Sequence, residues 1–244
     1  MNLLIAGANS DLAVCLAETF AAMEKPANIL LASRNLERLE ATAKDISIRF
    51  DVPCKALAFD ALDYESLPGF YAALDPGPDW VILCFGYLGD EKKAEQDWAE
   101  AKHILDTNYA GAVRFLEIVA ADLEKRKTGG IVAIGSVAGL RGRKSNYHYG
   151  AAKAALGVFL SGLRNRLHPA GVRVMTVLPG FLQTKMTQGM PLPALLTTSP
   201  NKAAALIHAA WKKQKDIAYI PGWWRWIMLV IRMIPEKVFK GLSL

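Results

Sequence analysis

The sequence predicts an α/β fold: a single doubly wound parallel sheet of about seven strands in three α/β/α layers. Two observations carry this. Short, continuously apolar runs alternate along the chain with longer amphipathic ones. The apolar runs lack the two-residue alternation of a half-exposed sheet, so they read as strands covered on both faces. The 244 residues, 52% hydrophobic and 21% charged, suffice for one full core of globular composition.

The elements follow in order. Leu3 to Ala6 reads as the first strand, and Ser10 is placed to cap a helix over 10–24 with Asp11 in its first turn. Ile29 to Ala32 and Lys55 to Phe59 read as strands, followed by helices over 35–50 and 63–74 respectively. Trp80 to Phe85 is the fourth strand, and two helical stretches follow at 92–105 and 107–126. A strand over 130–135, a helix over 146–167 and a strand from Val172 to Leu178 come next. A loop-rich segment, 179–199, precedes a helix over 200–213 and a last strand from Ile217 to Ile220. This order is Rossmann-type, and such sheets bind ligands at the carboxyl ends of their strands, where strand order reverses. Residues 1–222 are expected to form this domain. Residues 223–244 are expected to form an apolar extension packed on the domain, on a partner subunit or on a membrane surface.

Composition narrows the function classes. The net charge is +6, which suits anionic partners, yet no recognition-helix or aromatic-basic motif supports a nucleic-acid partner. Cys15, Cys54 and Cys84 are odd in number and widely spaced, so neither a disulfide framework nor a metal site is expected. With a strand pattern opening at Asn2, no secretory leader is expected, and the location is read as cytoplasmic. No apolar run approaches the roughly 18 residues of a membrane span.

One motif carries chemistry. Tyr149 and Lys153 are four apart on a helix and so share a face. A phenol titrates near pH ~10, so a base working near pH 7 needs that lowered by about three pH units, roughly 4 kcal/mol. A neighbouring ammonium favours the phenolate. Ser136 would end a buried strand with its hydroxyl where a substrate carbonyl oxygen could sit. The alternative is a solvated helix face. Gly7-Ala8-Asn9-Ser10-Asp11-Leu12 forms a strand-to-helix turn whose backbone N–H groups suit a pyrophosphate, or an ordinary capped turn.

With these residues the chain resembles the short-chain dehydrogenase/reductase family from residue 2 to about 220. The resemblance also rests on Asp60 after the third strand, Gly86 after the fourth, Asn108 in Thr107-Asn108-Tyr109-Ala110-Gly111, and Pro179-Gly180 with Thr184. It implies an NAD(P)-dependent oxidoreductase that reduces a carbonyl to a secondary alcohol. It assigns Tyr149 as acid/base, Lys153 as the group that lowers its pKa and bonds the nicotinamide ribose, and Ser136 as hydrogen-bond donor to the substrate oxygen. Asn108 would hold a water linking Lys153 to solvent, or serve as a structural amide. The cofactor would meet Gly7, Asn9, Ser10, Asp11 and Leu12, then Ser33, Arg34, Asp60 and Ala61, and Phe85, Gly86, Tyr149, Lys153, Pro179, Gly180, Leu182 and Thr184. Asp11 stands where the family has glycine; its carboxylate suits the helix dipole but repels a pyrophosphate at close range. Ser33-Arg34 replaces the acidic residue that selects NAD, which favours NADP, with NAD the alternative. Arg34 could also be a solvated loop charge. The resemblance further implies a homodimer or homotetramer.

Two segments bear on the substrate. Arg141, Arg143 and Lys144 lie between Ser136 and Tyr149, and suit an anionic substrate or a solvated or subunit-facing loop. The run from Trp223 to Ile234 places Arg225 and Arg232 on one narrow stripe of an otherwise apolar helix, which suits a membrane interface, a subunit contact or a lid. Within the family the chain is similar to the decaprenylphosphoryl-2-keto-ribose reductase branch. That likeness lies in Ser10-Asp11-Leu12, Phe59 to Asp63, Phe85 to Asp90, the basic loop through Asn146, and Trp226 to Lys240. It implies a polyprenyl-phosphate-linked keto-sugar as substrate, its phosphate at Arg141, Arg143 or Lys144. The alternatives are a soluble ketone, steroid-like or acyl substrate, or a non-enzymatic nucleotide-sensing role.

Overall fold

The computed structural model describes residues 1–242. In chain order the elements are β1 (Asn2–Ala6), α1 (Asp11–Glu24), β2 (Asn28–Ser33), α2 (Leu36–Phe50), β3 (Cys54–Ala58), α3 (Ser66–Ala72) and β4 (Trp80–Leu83). Then come α4 (Glu91–Ala94), α5 (Trp98–Leu105), α6 (Gly111–Arg126), β5 (Gly130–Ile134), α7 (Tyr147–Leu167) and β6 (Arg173–Pro179). The short strands β7 (Phe181–Leu182) and β8 (Thr197–Thr198) precede α8 (Pro200–Lys212), β9 (Ile217–Ile220), α9 (Trp224–Met233) and α10 (Glu236–Phe239).

Seven strands form one sheet in the order β3-β2-β1-β4-β5-β6-β9, and every pair in it is parallel. Strand order reverses between β1 and β4, which opens the expected crevice at their carboxyl ends. The inner strands are largely apolar because both faces are covered. Leu3, Ile5, Ile29 and Leu31 pack with α1, α2 and α8. Leu4, Ala6, Val81 and Leu83 pack on the other face with α6 and α7.

The cap expected at Ser10 forms, and Asn35 and Ser199 act likewise. Ser10, Asn35 and Ser199 each accept a backbone N–H from the first turn of α1, α2 and α8. Four stretches differ from the sequence reading. The helix expected over 92–105 is broken, because Asp97 caps a new helix by accepting from Ala99 N. The helix expected from 107 instead begins with a π-helical turn, Asp106–Ala110. β4 ends at Leu83 rather than Phe85, since the chain must pass over the β1–α1 turn there. The loop-rich segment is folded, with β7 and β8 paired in parallel and short 3-10 turns at Lys185–Thr187 and Ala194–Leu196.

Candidate active site

β1 delivers Gly7 with φ +86°, a left-handed conformation that a side chain disfavours. A Cβ there would also lie 2.4 Å from the Phe85 backbone nitrogen. Only glycine lets the ends of β1 and β4 approach this closely. Asn9 to Leu12 follow at the positive end of α1. Ser10 Oγ accepts from Ala13 N at 3.2 Å and meets Cys84 Sγ at 3.4 Å. Asn9 Nδ2 donates to the Asn35 carbonyl, while its Oδ1 is buried without a partner. The Asp11 carboxylate is engaged by two groups. Its Oδ2 accepts from Lys185 N at 2.7 Å, and its Oδ1 lies 3.9 Å from Arg38.

Ser136 leaves β5 with an extended backbone, and its Oγ accepts from Ala138 N at 3.1 Å. The hydroxyl proton is therefore free to donate elsewhere. Tyr149 and Lys153 sit one turn apart near the start of α7. Burial pushes the Tyr149 phenol up to about 12, with the Ser136 hydroxyl pulling the other way. Burial also pushes Lys153 down to about 8. The causes acting on the Tyr149 phenol here are its burial and the Ser136 hydroxyl. Lys153 Nζ donates to the Ile134 carbonyl at 3.2 Å and stands 5.7 Å from the Tyr149 ring centroid. The phenol is thus held in its proton-donating form.

One cavity of about 330 Å³ gathers most of the expected residues: Asn9, Ser10, Asp11, Leu12, Phe85, Gly86, Ser136, Tyr149, Lys153, Pro179, Gly180, Leu182 and Thr184 line it. Its wall is otherwise largely apolar, with Leu88, Ile134, Val137, Phe181, Met186 and Met190. Arg34 and Asp60 share a separate shallow depression with Phe70. Asp60 Oδ1 there accepts from Leu62 N at 3.0 Å. Ser33 closes β2, its carbonyl accepting from Phe59 N.

Ala61 and Asn108 stand outside the cavity lining. Ala61 is buried, and its carbonyl faces Gly111 where a Cβ would lie 2.5 Å away, so it is core rather than cavity wall. Asn108 lies behind Gly86, outside the cavity lining. Its Nδ2 donates to the Tyr87 and Ile104 carbonyls and its Oδ1 accepts from Tyr87 N. With both amide protons spent, the side chain clamps the Tyr87 backbone to α5 and could meet a water only as an acceptor.

The basic loop divides. Arg141, one of the cations expected at an anionic substrate, turns to the C-terminal segment instead. It donates to the Arg232 and Ile234 carbonyls, pairs with Glu236 at 2.7 Å and stacks on Phe239. Arg143 lines the cavity. α9 packs over the same region. Trp224 and Met228 are buried with Val137 and Leu178. Gly180 has no side chain because Trp224 fills the space, with a Cβ there falling 1.9 Å from the indole. Sequence reasoning missed Cys84, Arg38 and Asn146 as neighbours of the site. Arg38 lies in the first turn of α2 and is brought to the site by its approach to Asp11.

These features agree with what the chain is similar to. A family model described as short chain dehydrogenase matches residues 2–192. An uncharacterized oxidoreductase of Mycobacterium tuberculosis (strain H37Rv) is 36% identical over 217 residues, covering 88% of this chain and 87% of the relative. An uncharacterized oxidoreductase of Streptomyces coelicolor, from the mprA 5′ region, is 34% identical over 247 residues, covering 99% and 95%. A short-chain dehydrogenase from Sphingobium yanoikuyae, solved with NADPH, superposes with a TM-score of 0.82 at 23% identity, covering 94% and 91%. From Gly7 to the Tyr149–Lys153 turn, the chain belongs to the short-chain dehydrogenase family and is one of its oxidoreductases.

Proposed function

We propose that this chain is an NADPH-dependent reductase that converts a ketone to a secondary alcohol, with Tyr149 as proton donor. The observation that carries the reading is the neutral Tyr149 phenol beside the Ser136 hydroxyl in a cavity that also takes in the start of α1. Asn9 to Leu12 would hold the cofactor diphosphate, with Gly7 setting the turn. The fit rests on the N–H end of α1 and an Asp11 carboxylate turned to Lys185. Ser33, Arg34 and Asp60 would meet the adenosine half. Phe85, Gly86, Pro179, Gly180, Leu182 and Thr184 would meet the nicotinamide half. When bound, the nicotinamide supplies a hydride for the carbonyl carbon. Tyr149 gives its proton to the carbonyl oxygen, Ser136 donates a hydrogen bond to that oxygen, and Lys153 bonds the cofactor ribose. Arg34 favours the 2′-phosphate of NADP over NAD. The NADPH held by the Sphingobium relative is consistent with that choice.

For the substrate, we extend the reading to an amphiphile of the polyprenyl-phosphate-linked keto-sugar type, supported by the apolar cavity wall. A peripheral membrane contact through α9 fits such a substrate, as does assembly into a homodimer or homotetramer. Fluorescence titration with NADPH and NADH, followed by ketone reduction assays, tests the core of this. Tyr149→Phe should lower kcat at least about a hundredfold, with NADPH binding titrated separately so that lost chemistry is told from lost cofactor. Arg34→Ala should weaken NADPH but not NADH, by about tenfold. A Phe variant with ordinary turnover would sink the reductase reading.

A further inference from the structure

The first turn of α7 is capped in an unusual way. Asn146 occupies the N-cap position, where its residue type normally accepts a first-turn N–H, yet its side chain caps nothing. Glu91 of α4 takes that role. Its carboxylate accepts from His148 N at 3.3 Å and meets His148 Nδ1 at 2.7 Å. Asn146 is thereby released, and its Oδ1 is buried without a partner on the wall of the cavity.

Arg143 stands beside it. Asn146 N donates to the Arg143 carbonyl at 3.2 Å, so a tight turn presents both side chains together. Arg143 Nη2 reaches only Met228 Sδ at 3.4 Å, a neutral and weak acceptor, and its Nε is buried with no partner. Among the described residues no carboxylate lies within ion-pair distance of Arg143. Asp11, the one acidic residue on the cavity wall, is engaged by Lys185 N and Arg38. Burial alone shifts the guanidinium, downward, with no neighbouring charge opposing it. Arg143 is half-buried with its Nε fully covered, and a cation held there without a counter-charge is costly, since such groups in native folds are ordinarily paired. Here a donor and an acceptor are left open side by side in an otherwise largely apolar chamber.

We infer that Arg143 and Asn146 form the head-group reader of the substrate site, taking an anionic oxygen group on Arg143 and a hydroxyl on Asn146. The ligand class is an amphiphile whose apolar part lies on Leu88, Val137, Phe181 and Met190 and whose charged pole is a phosphate or a carboxylate. The inference rests on the reductase reading for its place in catalysis, but its binding claim stands apart from turnover.

The test uses calorimetry on the full chain with NADP⁺ present and three probes of one chain length: decyl phosphate, decanoate and decanol. At least one anionic probe should bind about tenfold or more tightly than decanol, and comparing the two anions tells phosphate from carboxylate. Arg143→Met should bring the anions to the level of decanol. Arg143→Lys, which keeps the charge but loses the fork, should retain part of the preference and serves if the Met variant does not fold. Asn146→Ala should leave the anion preference in place, since it removes only the hydroxyl acceptor. Anionic probes that bind no better than decanol, or a preference that persists in Arg143→Met, overturn the inference. Failure of ketone reduction would instead strike the catalytic reading and leave these titrations standing.

Discussion

Lys153 shows what a site residue costs its own fold. It is 5% exposed, and burial lowers its pKa from 10.5 to about 8. Below pH 8 the native protein holds a buried charge that the unfolded chain exposes freely. Between pH 8 and 10.5 the unfolded chain binds more protons than the native one, so stability rises with pH over that window. Lys153→Met should therefore stabilise the protein at pH 7 by up to roughly 3 kcal/mol, and the gain should shrink toward pH 10.5. Urea melts of both proteins at pH 7 and 10 check this; an equal gain at both would refute the linkage. Tyr149 carries the opposite sign. Held at about 12, its phenol stays protonated across the neutral range. Carbonyl reduction should show no limb from Tyr149 between pH 6 and 9, whereas alcohol oxidation, which needs the phenolate, should climb about tenfold per pH unit.

At the scale of elements, the helix ends set both stability and access. α6 ends on Lys127 at φ 54°, a left-handed position usually filled by glycine. Lys127→Gly should add roughly 0.5–1 kcal/mol, a rise of about 1–4 °C in Tm for a chain of this size. The start of α1 does different work. Asp11 ties it to the 3-10 turn at Lys185–Thr187 across the cofactor cleft. Asp11→Ala should raise hydrogen exchange in residues 183–190 while leaving β1 protected; unchanged exchange there would show that the tie carries no load.

For the whole molecule, α9 is the part whose role depends on what lies outside the chain. Its inner face belongs to the core, and Trp224→Ala should cost about 3–5 kcal/mol by opening space above Gly180. Its outer face leaves Trp226, Val230 and Met233 more than 60% exposed beside Arg225 and Arg232. Val230→Glu on that face should lower retention on phosphatidylglycerol vesicles several-fold while the Tm holds. Retention that does not change would favour a subunit contact over lipid.

The sequence by itself determined the sheet, most of the helix starts and most of the cavity-lining residues. Apolar runs, caps and the Tyr149–Lys153 spacing are local signals, and local signals survive without coordinates. Tertiary structure decided the assignments that depend on partners far along the chain. Asp11 is turned to a backbone N–H 174 residues away. Asn108 spends its amide on Tyr87 and Ile104. Arg141 and Arg143, two positions apart, part company because one meets the carbonyls that end α9 and the other meets only a sulfur atom. What a charged or amide side chain does is set by which groups fold against it, and that depends on contacts which residue spacing does not encode.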